Sequence, residues 1–217
     1  MERLLCVLIG YVFGLFQTGY IYGKLQKIDI RKHGSGNAGT TNVLRTLGWK
    51  AGAITFVGDS LKCILAILLV RYIFKDSDNV ALWSIYAGLG AVLGHNFPFY
   101  LKFKGGKGIA ATTGLILAFH PVLFAIVAGV FLIIFLITRY VSLGSIVIML
   151  VFVAEVIIYG QMGGFGMTGF YLYELYAVTV FLALLAIFQH RANIKRLLSG
   201  TENKIDFSSI GKKKKEA

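Results

Sequence analysis

Apolar stretches of bilayer-crossing length, separated by short basic connections, dominate this chain and leave few folds open to it. A helix needs about 20 residues to cross a hydrocarbon core of roughly 30 Å, and lipid offers backbone amides no partners, so such stretches must become helices. Spans are predicted over Leu4–Gly23, Ala51–Phe74, Val80–Gly94, Lys107–Ala118, Pro121–Ile137, Ser142–Gly160 and Tyr171–Phe188. Of the 217 residues, 57% are apolar and 15% charged, whereas a soluble domain is about half apolar and a quarter charged. Disorder, a disulfide scaffold and a soluble dinucleotide-binding enzyme are thereby excluded as readings of the whole chain. Cys6 and Cys63 lie within apolar runs and read as small core hydrophobes.

The first stretch follows Arg3 as a signal peptide would. No small-residue cleavage site follows it, however, and Gln17, Tyr20 and Tyr22 continue the segment, so it reads as one retained helix. Around His120-Pro121, hydropathy fits one kinked helix or two short ones equally well. Charge parity decides. The 24–50 connection, Lys102, Lys104 and Lys107, Arg139 and the segment after the last span together carry 18 of the 22 Lys and Arg residues. Seven spans with the N-terminus outside and the C-terminus cytoplasmic put all of them on the cytoplasmic face. The expectation is an all-α polytopic membrane protein with seven transmembrane helices, a membrane domain over residues 1–205 and a basic cytoplasmic tail over 206–217. Lys107–Ala118 would be only about 18 Å long and should be half-buried or tilted. The net charge of +12 sits where it meets anionic lipid or an anionic substrate, which speaks against nucleic acid as a partner.

The polar residues cluster in the same connections. Gly34-Ser35-Gly36-Asn37-Ala38-Gly39-Thr40-Thr41-Asn42, with Arg45 after it, satisfies a GxGxxG pattern, but Arg31-Lys32-His33 replaces the buried strand that a dinucleotide fingerprint requires. Glycines let successive amides converge on an anion, and Ser35, Asn37, Thr40, Thr41 and Asn42 add short donors. Thr41 or Asn42 could cap a helix, and Arg45 lies one turn on. A flexible loop with a cap is the plainer reading. Phe103-Lys104-Gly105-Gly106-Lys107-Gly108 is no Walker A loop, yet two lysines around a Gly-Gly turn describe a phosphate cradle; a topology-setting basic loop would explain the lysines and not the glycines. Ser142 could cap its helix or bind ligand. His190, Asn193 and Arg196 share a helical face followed by Glu202, although a basic helix lying on anionic lipid would account for the cations. Asp59 and Lys62, three apart within the second span, must pair or face a polar interior, as a structural clasp or as the floor of a headgroup cavity.

GxSxG, H-x4-D and HExxH are all missing, and no Cys/His or carboxylate cluster would hold a metal. What remains is rich in anion donors and poor in protein bases, which suits phosphorylated substrates, one of whose phosphates takes the proton.

Gly34 to Arg45, Gly94-His95-Asn96-Phe97-Pro98 with Lys102 to Gly108, and His190 to Arg196 with Gly200-Thr201-Glu202 resemble the motifs of the bacterial acyl-phosphate:glycerol-3-phosphate acyltransferases, a family of inner-membrane enzymes. The resemblance implies a multi-pass protein of the bacterial cell membrane with its active site on the cytoplasmic face. It implies transfer of a fatty acyl group from acyl phosphate to the sn-1 hydroxyl of glycerol 3-phosphate, giving lysophosphatidic acid and phosphate in the first acylation of phospholipid synthesis. It implies no metal, no other cofactor and no covalent intermediate, with membrane lipids and an enzyme that supplies acyl phosphate as partners. By motif position it assigns Ser35, Arg45, Lys104 and His190 to the catalytic centre, and Gly36, Asn37, Thr41, Asn42, Gly105, Gly106, Lys107, Ser142 and Asn193 to substrate binding, with His95 as a structural or orienting histidine. Cys63 departs from the family, which commonly has glycine after the Asp-x-x-Lys of the second span. A transporter of a phosphorylated solute is the alternative from another class, and a lipid-binding structural protein a third.

Overall fold

A computed structural model describes residues 1–205, so the predicted basic tail lies outside the described residues. The described chain is helical, without strands: α1 (Glu2–Gly14), α2 (Thr18–Leu25), α3 (Thr40–Leu47), α4 (Trp49–Ile73), α5 (Val80–Asn96), α6 (Ile109–Phe119), α7 (Pro121–Thr138), α8 (Val141–Gln161), α9 (Gly169–Gln189) and α10 (Arg191–Leu198). Among the described residues, six segments are long and apolar enough to cross a membrane, where seven were expected. The exception is α6. Its 11 residues reach only about 17 Å at 1.5 Å per residue. His120 separates it from α7 in an extended conformation, and Pro121 opens α7, where its missing amide hydrogen costs nothing.

α5 is the central helix. Gly10 and Gly14 of α1 face Ala87 and Ala91 of α5, and Gly90 and Gly94 return the contact to Val7 and Tyr11; a Cβ on any of the four would overlap backbone of the opposite helix. Such small-residue seams let helix backbones approach in lipid, where apolar side chains gain nothing by leaving the solvent. Gly114 likewise seats α6 on Ser60 of α4, and Ser60 Oγ donates to the Ala110 carbonyl at 2.8 Å. Arg71 Nη2 donates to the Phe119 carbonyl at 2.7 Å, satisfying the end of the short helix. Away from the polar loops, the Arg3 guanidinium meets the Glu174 carboxylate (Nη2–Oε2 2.6 Å), and Tyr86 donates to the same group, joining α1, α5 and α9.

The first span is a correction. Residues 15–17 interrupt it, splitting the expected single helix into α1 and α2. A break at membrane depth frees carbonyls at one helix end and amides at the next, and these need protein partners. Lys62 Nζ reaches the carbonyls of Gly14 (3.2 Å) and Phe16, while Asp59 Oδ1 accepts from Thr18 N at 3.4 Å. Gln17 Nε2 bridges the carbonyls of Gly14, Gly94 and His95. The cation thus stands at the negative end of α1 and the carboxylate at the positive end of α2, the arrangement that helix dipoles favour. The pair, 3.0 Å apart, serves as the clasp.

Candidate active site

One cavity of about 630 Å³ gathers the polar connections. Its polar wall comprises Ser35, Asn37, Thr40, Thr41 and Arg45 from α3 and the loop before it, Lys107 ahead of α6, Ser142 from α8, and His190, Asn193, Arg196 and Glu202 after α9. Its apolar lining runs along α7 through Phe124, Val127, Phe131 and Phe135 and includes Phe56 of α4 and Ile148 of α8. Asp59 and His95 also border it, whereas Lys62 does not.

Asn42 organises the first loop. Its Oδ1 accepts from Ser35 N (2.8 Å), and its Nδ2 donates to the carbonyls of Ile30, His33 and Asn37 at 2.8–3.1 Å. The chain can wrap one amide so closely only with Gly34 and Gly36 in left-handed conformations, φ +58° and +72°. Two expectations are corrected here. Neither Thr41 nor Asn42 caps α3, whose N-cap is Gly39 without a side-chain cap bond. Nor do the amides of Ser35 and Gly36 form an anion nest, since Gly36 N donates to the His33 carbonyl at 3.0 Å and Ser35 N is held by Asn42. What faces the cavity is Ser35 and Asn37 of the loop and the start of α3, at Gly39, Thr40 and Thr41, with Arg45 one turn on.

The second motif is corrected in the same way. Gly105 N donates to the Asn96 carbonyl and Gly106 N to the His95 carbonyl, both at 3.1 Å. A Cβ on Gly105 would overlap the His95 oxygen, and one on Gly106 the His95 ring. These glycines permit close approach to the end of α5 rather than cradling phosphate. Gly36, Lys104, Gly105 and Gly106 are not part of the cavity wall, and Lys104 is exposed. Lys107, half-buried, turns into the cavity and donates to Asn193 Oδ1. Lys104→Ala is therefore expected to change the activity of this site by less than about threefold, the scale of a solvated surface charge; a much larger loss would return it to the site.

Glu202 is the hub that sequence reasoning left without a role. It accepts from Asn193 Nδ2 (2.7 Å) and Ser142 Oγ (3.0 Å) on Oε1 and from Arg196 Nε (2.7 Å) on Oε2, while Arg45 Nη2 donates to the Asn203 carbonyl at 3.1 Å. Its signal in the sequence was slight: it is the lone acid between His190 and Lys204. Burial pushes its carboxyl up, but the bonds from Asn193, Arg196 and Ser142 outweigh this and hold it below the usual range. Burial, reinforced by Arg196 and Arg45, lowers the Lys107 ammonium to about 8. Burial also lowers Arg45 and takes His190 down to about 4. His190, 3% exposed, has Nδ1 at 2.7 Å from the Ala186 carbonyl, so Nδ1 carries the proton of the neutral ring and Nε2 the lone pair. Arg196 and Glu202 neutralise each other, which leaves Arg45 and Lys107 as two cations seeking anions.

Apolar helices of bilayer-crossing length, with many large apolar side chains exposed, around a cavity lined by cations and apolar residues define an integral membrane protein. The family model described as glycerol-3-phosphate acyltransferase matches residues 4–200, and the chain belongs to that family. It is 43% identical over 206 residues to the glycerol-3-phosphate acyltransferase of Thermoanaerobacter pseudethanolicus, covering 94% of this chain and 96% of that one. It is 41% identical over 204 residues to that of Bacillus subtilis, covering 93% and 96%. Among solved structures it resembles the glycerol 3-phosphate form of PlsY, an integral membrane glycerol 3-phosphate acyltransferase, with TM-score 0.82, 35% identity and coverage of 95% and 96%. The lysophosphatidic acid form of PlsY aligns with TM-score 0.80 and 34% identity, covering 96% and 98%. The transporter reading finds no support among these relatives.

Proposed function

We propose that this chain transfers a fatty acyl group from acyl phosphate to the sn-1 hydroxyl of glycerol 3-phosphate, giving lysophosphatidic acid and inorganic phosphate. The observation that carries this reading is the division of one cavity into a wall with two uncompensated cations and an apolar wall. Along α7 the apolar wall runs from Phe124 to Phe135, about 17 Å at 1.5 Å per residue. An acyl phosphate fits both walls at once, and the second cation answers the phosphate of the acceptor.

In this reading Ser35, Asn37, Thr41 and Arg45 hold one phosphate at the start of α3, where the helix dipole favours an anion. Lys107, Ser142, Asn193 and His190 hold the other. The glycerol oxygen attacks the acyl carbonyl carbon, the bond from that carbon to the phosphate oxygen breaks, and phosphate leaves with the electron pair. Fixed cations stabilise the oxyanion between these steps. The hydroxyl proton goes to a phosphate oxygen. A phosphate monoester has a second pKa of about 6, which makes it a stronger base than His190 at about 4; His190 then orients substrate. The basic connections favour a cytoplasmic site, with the N-terminus outside and α6 as a short seventh element that thins the protein beneath it.

The test is incubation of purified protein with glycerol 3-phosphate and either palmitoyl phosphate or palmitoyl-CoA, followed by lipid analysis. Lysophosphatidic acid and stoichiometric phosphate should form only with palmitoyl phosphate. Equal or better use of palmitoyl-CoA would overturn the donor assignment, and wild-type turnover in Arg45→Ala would remove Arg45 from the site.

A further inference from the structure

Asp59 and Lys62 form the most deeply buried ion pair among the described residues, with side chains 1% and 4% exposed. Closing the break between α1 and α2 accounts for Asp59 Oδ1 and for two of the acceptors around Lys62, the carbonyls of Gly14 and Phe16. Asp59 Oδ1 is itself a third acceptor, 3.0 Å from Nζ, and closing the break does not account for a fourth. Lys62 Nζ lies 2.8 Å from His95 Nδ1. An ammonium group has no lone pair, so His95 Nδ1 must be the acceptor, and the proton of the neutral imidazole sits on Nε2.

His95 borders the substrate cavity, and its ring lies directly under Gly106: a Cβ there would fall on Nε2 itself. Its carbonyl receives the Gly106 amide at 3.1 Å and also accepts from Gln17 Nε2 at 3.0 Å. Side chain and main chain of His95 therefore support the same turn, and the next residue is Lys107. A chain of short contacts runs from the helix break through Lys62 and His95 to the cation at the cavity wall.

We propose that Lys62 is a positioning residue for acyl transfer: by donating to His95 Nδ1 it holds the ring as its Nε2–H tautomer beneath Gly106, and so sets where Lys107 stands. The proposal rests on Lys107 as a phosphate-binding cation. An ammonium held by helix-end carbonyls cannot swing away, and a ring whose Nδ1 is engaged cannot flip, so the turn above gains a floor of fixed shape. Ligand groups need this, because displacement of about 1 Å can cost on the order of 100-fold.

Two measurements test this. The first uses the wild-type protein, labelled with 15N-histidine, in nanodiscs. Side-chain nitrogen shifts of His95, assigned by the missing signals of His95→Gln, should show Nε2 protonated and Nδ1 bare; a protonated Nδ1 overturns the proposal without any folding question and without reference to the reaction. The second compares Lys62→Met with the charge-neutral pair Asp59→Asn/Lys62→Met, in which no unpaired charge remains buried. Both variants should raise KM for glycerol 3-phosphate by about tenfold, the sign of a misplaced phosphate ligand, even where the pair variant regains the wild-type melting temperature. A clasp that only maintains the fold predicts otherwise: activity would track the folded fraction at unchanged KM, and the pair variant would recover it. That result overturns the proposal. Wild-type protein inert towards palmitoyl phosphate would instead refute the assigned reaction and leave the tautomer result standing.

Discussion

Lys107→Met should lower kcat/KM for glycerol 3-phosphate by about 100- to 1,000-fold, the range found when a fixed donor to a developing or bound anion is removed. Methionine keeps the unbranched stem and most of the volume of the side chain, so what disappears is the ammonium, with its charge and its bond to Asn193. Of the two uncompensated cations in the cavity, Lys107 is held from one side by Asn193, which Glu202 holds in turn. The same residue sets a pH limit. Burial and the neighbouring arginines bring its ammonium to about 8, and the charged form is the acid form. Phosphate binding should therefore be intact below that value and be lost as pH rises through it. Because kcat/KM reports the free enzyme, its alkaline limb should fall near pH 8. Lys107→Arg, whose guanidinium keeps its proton throughout this range, should move that limb upward even with a lower plateau. An unmoved limb would assign it to another group.

Gly105→Ala should be nearly as damaging for a different reason. A Cβ there would overlap the His95 carbonyl oxygen and press on Pro98 Cδ at 2.7 Å and the Asn96 carbonyl at 3.0 Å. Two of these three neighbours are backbone at the end of α5 and cannot rotate aside. The turn must lift, carrying Lys107 with it, and a shift of about 1 Å is worth on the order of 100-fold in rate. The helices do not depend on this turn, so the far-ultraviolet circular dichroism spectrum should keep its wild-type shape while lysophosphatidic acid formation collapses. Gly129→Ala in α7, where nothing lies within 4 Å of a new Cβ, is the matched control and should retain activity within about twofold, as for a substitution without a new contact.

Hydropathy made the long helices legible, because each must satisfy its own backbone in lipid, and it marked Lys107–Ala118 as too short. It was silent on the break after Gly14. That break is stabilised by Lys62, 48 residues further on, and nothing local to Leu15, Phe16 and Gln17 announces such a partner. The convergence of Ser35, Arg45, Lys107, Ser142, His190 and Asn193 on one cavity was likewise readable, since dense donors in a lipid-soluble chain need a common anion. The glycines were misread. Composition shows where a chain lacks a Cβ but not whether its amide is already occupied, and those of Gly36, Gly105 and Gly106 are. Lys104 and Lys107 are equivalent by type and motif; the backbone between them, which follows left-handed residues at Lys102 and Phe103, leaves Lys104 exposed and turns Lys107 inward.

The last described stretch closes the site. Glu202 holds Ser142, Asn193 and Arg196, the Asn203 carbonyl receives Arg45, and Ile205 N donates to the Arg139 carbonyl at 3.1 Å. A ribosome reaches these residues only after every helix from α1 to α9 has been made. In order of synthesis, the helices that build the apolar wall therefore precede the stretch that ties Ser142, Asn193 and Arg196 together at its polar end.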